Sequence, residues 1–274
     1  MSRNNQNNQN YQENQFSVIA GYYDILNYNA DYKKVADYIE DVFEFYHKKP
    51  DLVLDLACGT GNLTVELDKR GYDMTGLDLS AEMLSIANTK AKKLKKNKES
   101  ENKNKSNILW LNQDMLDFEL YGTVDAVVCC FDSLNYVLDG EDLKKCFGLV
   151  YNYLNPGGLF IFDVNSKYKF ERVYSGNSFI LERKNVFCSW QNHYDRKNKV
   201  CDFYITLFVR QKNGYYIRYD ETQTEKYYGE KFLRDALIQT GFGDINIFYD
   251  FSVNLINSEK SAERERICFA AVKQ

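Results

Sequence analysis

Apolar residues fall along this chain in short blocks, and the spacing within the blocks changes from one region to the next. Between Phe16 and Tyr46 they sit near the i, i+3, i+4, i+7 positions that one face of a helix requires. Val18, Ile19, Tyr22, Tyr23, Ile25 and Leu26 form one cluster; Tyr32, Val35, Ala36, Tyr38, Ile39, Val42 and Phe43 form the next, and Pro50 closes the region. Compact apolar runs then alternate with amphipathic stretches. Leu52–Leu56, Asp73–Leu77, Ile108–Leu111, Val124–Cys130 and Leu159–Val164 are predicted strands. Asn62–Lys69, Ser80–Lys93 and Asp142–Leu154 are predicted helices, the last stopped by Asn155-Pro156-Gly157-Gly158. Ser80-Ala-Glu-Met83 suits a helix start, a capping hydroxyl followed by an early acid. The unbroken apolar run at Val124–Cys130 is what a strand covered on both faces needs. This repetition predicts an α/β protein with a doubly wound, mostly parallel sheet.

After Asn165 the period becomes two. From Phe179 to Glu225 apolar and polar residues alternate, with turn signals at Arg196-Lys-Asn-Lys199 and Lys212-Asn-Gly214. Val200–Arg210 and Tyr215–Glu225 read as a hairpin, preceded by a strand around Asn185–Tyr194: an antiparallel insert rather than another βα unit. Helical spacing returns at Glu230–Thr240 and ends at Gly241. Strands near Ile245–Tyr249 and Arg266–Val272 complete a seven-stranded main sheet.

Composition narrows the class. A chain of 274 residues with 44% apolar and 27% charged residues can bury a substantial core. No apolar run approaches the roughly 18 residues that span a bilayer, so no membrane partner is expected. Residues 1–15 form a polar, low-complexity tail without the apolar core of a secretion signal, and are expected to be disordered. Seven cysteines without paired spacing, and only two histidines, point to buried free thiols in a reducing cytoplasm and to no metal site. A net charge of −4 argues against a nucleic-acid partner; the eight lysines of Lys90–Lys105 read as a solvated helix end and loop. Nothing in the sequence sets an oligomeric state.

The stretch from Leu52 to Thr64 carries the chemistry. A strand ending near Asp55 passes through Ala57-Cys58-Gly59-Thr60-Gly61 into a helix, which aims backbone N–H groups at a nucleotide-like ligand. A dinucleotide turn would continue to a third glycine, but Thr64 stands there, and no Gly-Lys-Ser/Thr phosphate loop is present. Asp55 would oppose a pyrophosphate yet suit a cationic amino-acid moiety, which disfavours a nicotinamide oxidoreductase. Asp78 ends the next apolar run, where a ribose would be read.

Asp55-Leu-Ala-Cys-Gly-Thr-Gly61 resembles the first signature of the class I S-adenosylmethionine-dependent methyltransferases. Gly76-Leu-Asp78-Leu-Ser80-Ala-Glu-Met83-Leu84, Gln113-Asp114-Met115 and Leu154-Asn-Pro156-Gly157-Gly158 resemble later motifs, in order, over roughly Tyr22 to Val272. The resemblance implies a Rossmann-like domain at 16–165 and 229–274 with N-terminal lid helices, and an inserted substrate-side sheet at 166–228. It implies S-adenosylmethionine as cofactor, with Asp78 on the ribose hydroxyls beside Leu79, Met83 on the adenine face, and Asp114 and Met115 at the adenine edge. Asp55, Ala57, Cys58, Gly59 and Gly61 would approach the methionine part. Cys130 and Phe131 would lie near the sulfonium, and Tyr23 and Tyr32 would close over the carboxylate.

A closer resemblance, to small-molecule N-methyltransferases including amino-sugar enzymes, rests on Tyr22-Tyr23-Asp24, Asp31-Tyr32, Cys129–Tyr136 and the insert. It implies methyl transfer by direct displacement to a small-molecule acceptor, an amine, with Tyr22, Asp132, Tyr136 and Asn165 as candidate catalytic or positioning groups. Glu221–Glu225 departs from such relatives, which often carry His or Arg there. His193, alone in the insert, reads as structural. Two alternatives stay open: an RNA-modifying methyltransferase, and a catalytically silent S-adenosylmethionine-binding protein.

Overall fold

The computed structural model describes residues 19–98, 107–253 and 263–274; the polar tail at 1–15 and the last part of the lysine-rich stretch lie outside these. The chain begins with a 3-10 turn (Ala20–Tyr22) and a short helix α1 (Tyr23–Leu26). It continues as α2 (Tyr32–Phe45), whose Asp31 carboxylate caps the first turn by accepting from Lys34 N at 3.0 Å. Val35, Ala36, Ile39, Val42 and Phe43 recur on one face of α2 and are buried, so the helix docks along that stripe.

The βα repetition follows: β1 (Leu52–Leu56), α3 (Asn62–Arg70), β2 (Asp73–Asp78), α4 (Ala81–Lys98), β3 (Leu109–Asn112), β4 (Val124–Cys129), α5 (Gly140–Tyr153) and β5 (Leu154–Asn165). Gly71, left-handed at φ 107°, ends α3, and Ser80 Oγ caps α4 by accepting from Met83 N at 3.2 Å. The insert holds β6 (Ser178–Arg183), β7 (Val186–Asp195), β8 (Val200–Arg210) and β9 (Tyr216–Lys226). Then come α6 (Glu230–Thr240), β10 (Phe242–Tyr249) and β11 (Arg266–Lys273).

The main sheet has the order β10-β11-β5-β4-β1-β2-β3, with β11 alone antiparallel to its neighbours. Helices α2 and α3 cover one face, with α4 beside α3, and α5 and α6 cover the other. Strands such as β4 are buried on both sides accordingly. Chain order reverses between β1 and β4, and the crevice at the carboxyl ends of these strands is where such sheets hold ligands. Because β11 runs backwards, Arg266 at its start pairs with Asn165 at the end of β5 and reaches the same edge.

Two elements depart from the pattern read in the sequence. Asn155-Pro156-Gly157-Gly158 is not a free turn but the opening of β5, where Leu154 pairs with Val124 and the register then shifts. A proline is tolerated in a strand at such an irregularity. The edge strand β6 is mostly exposed, so it carries no apolar alternation that would separate it from the strand after it.

The four insert strands form an antiparallel meander, β6-β7-β8-β9. Its inner face, with Cys188, Phe203, Ile205 and Leu207, packs on Ile19, Tyr23, Ile25 and Leu26 from the N-terminal segment. The segment before α2 therefore bridges insert and main sheet. All seven cysteines are free, six of them buried. Among the described residues no helix is long and apolar enough to cross a membrane.

Candidate active site

A cavity of about 290 Å³ runs along the carboxyl edge of the main sheet, from β2 and β3 past β1 and β4 to β5 and β11. The N-terminal segment and the inner face of the insert roof it. Gly59, Asp78, Met83 and Asp114 line one end; Asp132, Tyr136, Lys169, Trp190, Glu225 and Arg266 line the other.

The first end is made largely of backbone. Gly59 (φ 54°) lies in the left-handed region with open space where a side chain would stand, so a Cβ would enter the cavity. Gly61 (φ 72°) has a different reason: a Cβ there would meet Ala87 and Trp110 at 2.7 Å. Ala57 is also left-handed (φ 61°) although it has a side chain, a strained conformation kept at the turn itself. Asp78 accepts from Gly59 N at 2.7 Å and Ser80 N at 2.9 Å, one bond on each oxygen, which leaves lone pairs on both oxygens to face the cavity. Burial raises its carboxyl above the usual range, and these two N–H groups oppose the rise.

Asp55 does not line this cavity. It is buried beneath the turn, beside a smaller void of about 40 Å³ shared with Ala57, Cys58, Cys130 and Phe131. Burial pushes its carboxyl up to about 7, although the Thr64 hydroxyl donates to it at 2.6 Å. The residue that excludes a dinucleotide turn thus has a task of its own: it satisfies the acid under the glycines.

Tyr23 and Tyr32 border both cavities, and the Tyr32 ring lies 4.9 Å from that of Phe131. Asp24, next to Tyr23, forms a latch. It accepts from Thr60 Oγ1 at 2.7 Å and Asn62 Nδ2 at 2.9 Å, and pairs with Lys90 at 2.6 Å. Lys90 also donates to Thr60 O and Asn62 Oδ1, at 3.0 and 2.7 Å. Partial burial would raise Asp24, but Lys90 and the two donors hold it below the carboxylate range; burial lowers Lys90 and Asp24 opposes that. One lysine of the basic run therefore ties the N-terminal segment to the glycine turn.

The other end is built from side chains. Phe131 (φ 62°) and Asp132 (φ 57°) follow β4 in consecutive left-handed conformations. Both their N–H groups donate to the Asp163 carboxylate, at 2.7 and 3.0 Å, and this over-determines the strained turn. Arg266 joins Asp132 at 2.5 Å and also pairs with Asp163. The following 3-10 turn is stitched in place by Asn135, which accepts from Asn165 N at 2.9 Å and donates to Lys226 O at 2.7 Å. Tyr136 donates to Gln223 at 3.3 Å, Gln223 to Glu221 at 2.7 Å, and Glu221 accepts from Ile19 N at 3.2 Å. Trp190 lines the cavity, and its buried indole N–H has no partner among the described residues.

Of the candidate cofactor residues, Tyr23, Tyr32, Ala57, Gly59, Asp78, Leu79, Met83, Asp114, Met115 and Phe131 lie on the main cavity; Asp55, Cys58 and Cys130 lie on the smaller void, and Gly61 caps α3 behind the turn. Asp132 and Tyr136 face the far chamber. Tyr22 does not: it packs outside, its ring 6.1 Å from Tyr219. Asn165 stands behind the wall, where its Nδ2 donates to Glu225 at 2.7 Å. His193 is exposed on the outer face of β7. Sequence reading missed Asp163, Lys169, Trp190, Gln223, Glu225 and Arg266. Gln223 and Glu225 fall in the stretch Glu221–Glu225 that departs from relatives, and Asp163 is an acid inside an otherwise apolar run; the others left no signal.

A family model described as a methyltransferase domain matches residues 53–158. The chain is 31% identical over 259 residues to a Bacillus subtilis (strain 168) protein named "Putative methyltransferase YqeM", covering 94% of this chain and 97% of that one. The crystal structure of an S-adenosylmethionine-dependent methyltransferase from Clostridium acetobutylicum superposes with a TM-score of 0.79 at 32% identity, covering 94% of this chain and 99% of that one. This chain belongs to the S-adenosylmethionine-dependent methyltransferases. The fold is shared more widely: the sugar N-methyltransferase KedS8 from Streptoalloteichus superposes with a TM-score of 0.72 at 19% identity, over 92% of each chain. The cradle of this methyltransferase fits its cofactor: Gly59 leaves room for the ligand, and Asp78 offers a carboxylate with free lone pairs at the cavity edge.

Proposed function

We propose that this methyltransferase acts on a small amine, by direct displacement of the methyl group. When bound, S-adenosylmethionine supplies a methyl group already activated on a sulfonium. The protein then has to bind, orient and exclude water, and alignment alone is worth about 7–11 kcal/mol. In this reading Asp78 takes the ribose hydroxyls, Met83 packs on the adenine, and Asp114 and the Met115 backbone hold its edge. Tyr23 and Tyr32 close over the methionine carboxylate, and the Asp24–Lys90 latch holds that segment down.

The observation that carries the reading is continuity: one roofed cavity joins the glycine turn to a buried, charged and aromatic chamber. That chamber has the scale of a small molecule rather than a polymer. Its existence behind the lid tyrosines speaks against a silent binding protein. Tyr136 and Trp190 bring aromatic rings to the lining, where a cation can be attracted, and Asp132 brings charge. The kinship of fold with sugar N-methyltransferases supports an amine acceptor. Seven free thiols support a reducing compartment, the cytoplasm.

The test is an acceptor screen. Amines, amino sugars, their hydroxyl counterparts and RNA are incubated with enzyme and S-adenosylmethionine, and release of S-adenosylhomocysteine is followed. Turnover on amines is expected; turnover on RNA alone overturns the reading.

A further inference from the structure

The far chamber draws its charge from separate segments. Asp132 follows β4, Asp163 lies on β5, Lys169 sits on the π-helical turn Lys169–Tyr174, Glu225 on β9 and Arg266 on β11. All are largely buried, Glu225 at 2% exposure and Asp163 at 0%. Asp132 and Asp163 both hold Arg266, and Lys169 lies 3.6 Å from Glu265 at the rim. Glu225 accepts from Asn165 Nδ2 at 2.7 Å and is hydrogen-bonded to Asp132.

If all three chamber carboxyls ionise, they outnumber Lys169 and Arg266 by one charge. A buried excess charge is costly, so the pocket keeps a proton instead. Arg266 and Lys169 overcome burial to hold Asp132 below the carboxylate range; burial and then Asp132 push Glu225 well above it. Burial raises Asp163 and Arg266 opposes this. The retained proton therefore rests between Glu225 and Asp132, on the Glu225 side. The other titratable groups facing Glu225 are Tyr136, Tyr174 and Cys201, all raised by burial and neutral at pH 7. A ligand with one positive charge is what would balance this chamber with Glu225 ionised.

We propose that Glu225 is the counter-ion and proton acceptor for the methyl acceptor, which enters as an ammonium. This rests on the amine reading above. Entry of the ammonium releases the proton held by Glu225 to solvent. The N–H bond of the ammonium then breaks, its electron pair staying on nitrogen and its proton passing to the Glu225 carboxylate. The nitrogen forms the new N–C bond as the C–S bond breaks and leaves its pair on sulfur. The methylated product is again a cation and departs past a neutral Glu225.

Methylammonium chloride, titrated calorimetrically into protein saturated with S-adenosylhomocysteine in two buffers of different ionisation heat, tests this directly, with ethylene glycol as the neutral control. Wild type is expected to bind methylammonium and release a proton. Glu225→Gln should bind it at least ~10-fold more weakly without proton release, while its affinity for S-adenosylhomocysteine stays within about twofold, which also reports that the variant is folded. Equal binding by the two proteins, or none by wild type, overturns the assignment. In turnover, Glu225→Gln should lose roughly 10²-fold or more on amines at neutral pH, the loss shrinking as pH approaches the amine's own pKa. Amine turnover that the variant leaves unchanged overturns the role of Glu225 alone. Wild-type turnover confined to hydroxyl acceptors overturns the amine reading beneath it.

Discussion

At the glycine-turn end of the cleft, the lining groups follow three successive strands, β1, β2 and β3, and bonds are short-range in sequence: Asp78 reaches Gly59 across 19 positions. At the far end, Arg266 reaches Asp163 across 103 positions and Lys226 meets Asn135 across 91. The first end offers backbone N–H groups, small residues and two carboxylates, Asp78 and Asp114, on the cavity lining. The second holds five ionisable side chains in a buried network. The difference has a physical cause. On the function proposed above, a methyl donor of fixed structure would be met by fixed backbone and an acceptor selected by charge and shape, which side chains supply and which must be paired when buried.

This contrast can be broken, beginning with the largest effect. Asp78→Ala should remove two charge-assisted bonds to the ribose, each worth about 1.5–3 kcal/mol, so affinity for S-adenosylhomocysteine should fall by roughly 10²–10⁴-fold while circular dichroism shows a folded protein. Unchanged affinity by calorimetry would mean that the cofactor end does not depend on a single carboxylate. Asp163→Ala should act on stability instead. It leaves Arg266 with Asp132 as its one remaining carboxylate partner and strands two N–H groups, so the denaturant midpoint should report a loss of about 2–6 kcal/mol, more than any single change at the glycine turn outside Gly59 and Gly61.

The pH dependence of stability sharpens the same contrast. Asp55 titrates near 7 in the fold against an ordinary 3.8, so the folded state binds its proton more tightly than the unfolded chain. The stability contributed by Asp55 is complete below the unfolded value and is lost as pH rises through the folded one, at up to about 1.4 kcal/mol per pH unit. Urea unfolding of wild type relative to Asp55→Asn should show this decline between about pH 4 and 7 and a plateau above it. A flat difference would remove Asp55 from the account. The smallest effect is expected at the latch. Lys90→Met should cost about 1 kcal/mol or less and speed release of bound S-adenosylhomocysteine several-fold in stopped-flow measurements. An unchanged rate would show that the N-terminal segment is held by its contacts with the insert alone.

Much of the first end was legible before any coordinates. Asp78 ends β2 in a run of strong periodicity, where the period itself says which residue faces the crevice, and Gly59 follows from the small-residue turn; Asp55 and Gly61 read the same way yet lie beneath and behind that turn. Thr64 was legible as an obstacle to a dinucleotide but not as the partner of Asp55, because a hydroxyl on a helix has no fixed reading until its neighbour is placed. The acceptor end was barely legible. On β9 the inward Glu221, Gln223 and Glu225 alternate with Thr222 and Thr224, polar on both faces, so no hydrophobic contrast distinguishes inside from outside. Tyr22 was a catalytic candidate and Tyr23 a cofactor candidate, yet Tyr22 turns to Tyr219 and only Tyr23 reaches the cavity.

What this sequence determined by itself was the sheet and the glycine turn, since each follows from local pattern: apolar periodicity, small residues at a tight turn, acids at strand ends; the methyl donor came from the resemblance of its ordered motifs to a known family. Only the tertiary structure decided which charges meet. Asp132, Asp163, Lys169, Glu225 and Arg266 acquire their chemistry from mutual proximity and shared burial, and a Coulomb interaction across a dry chamber depends on distance in space, not on separation along the chain.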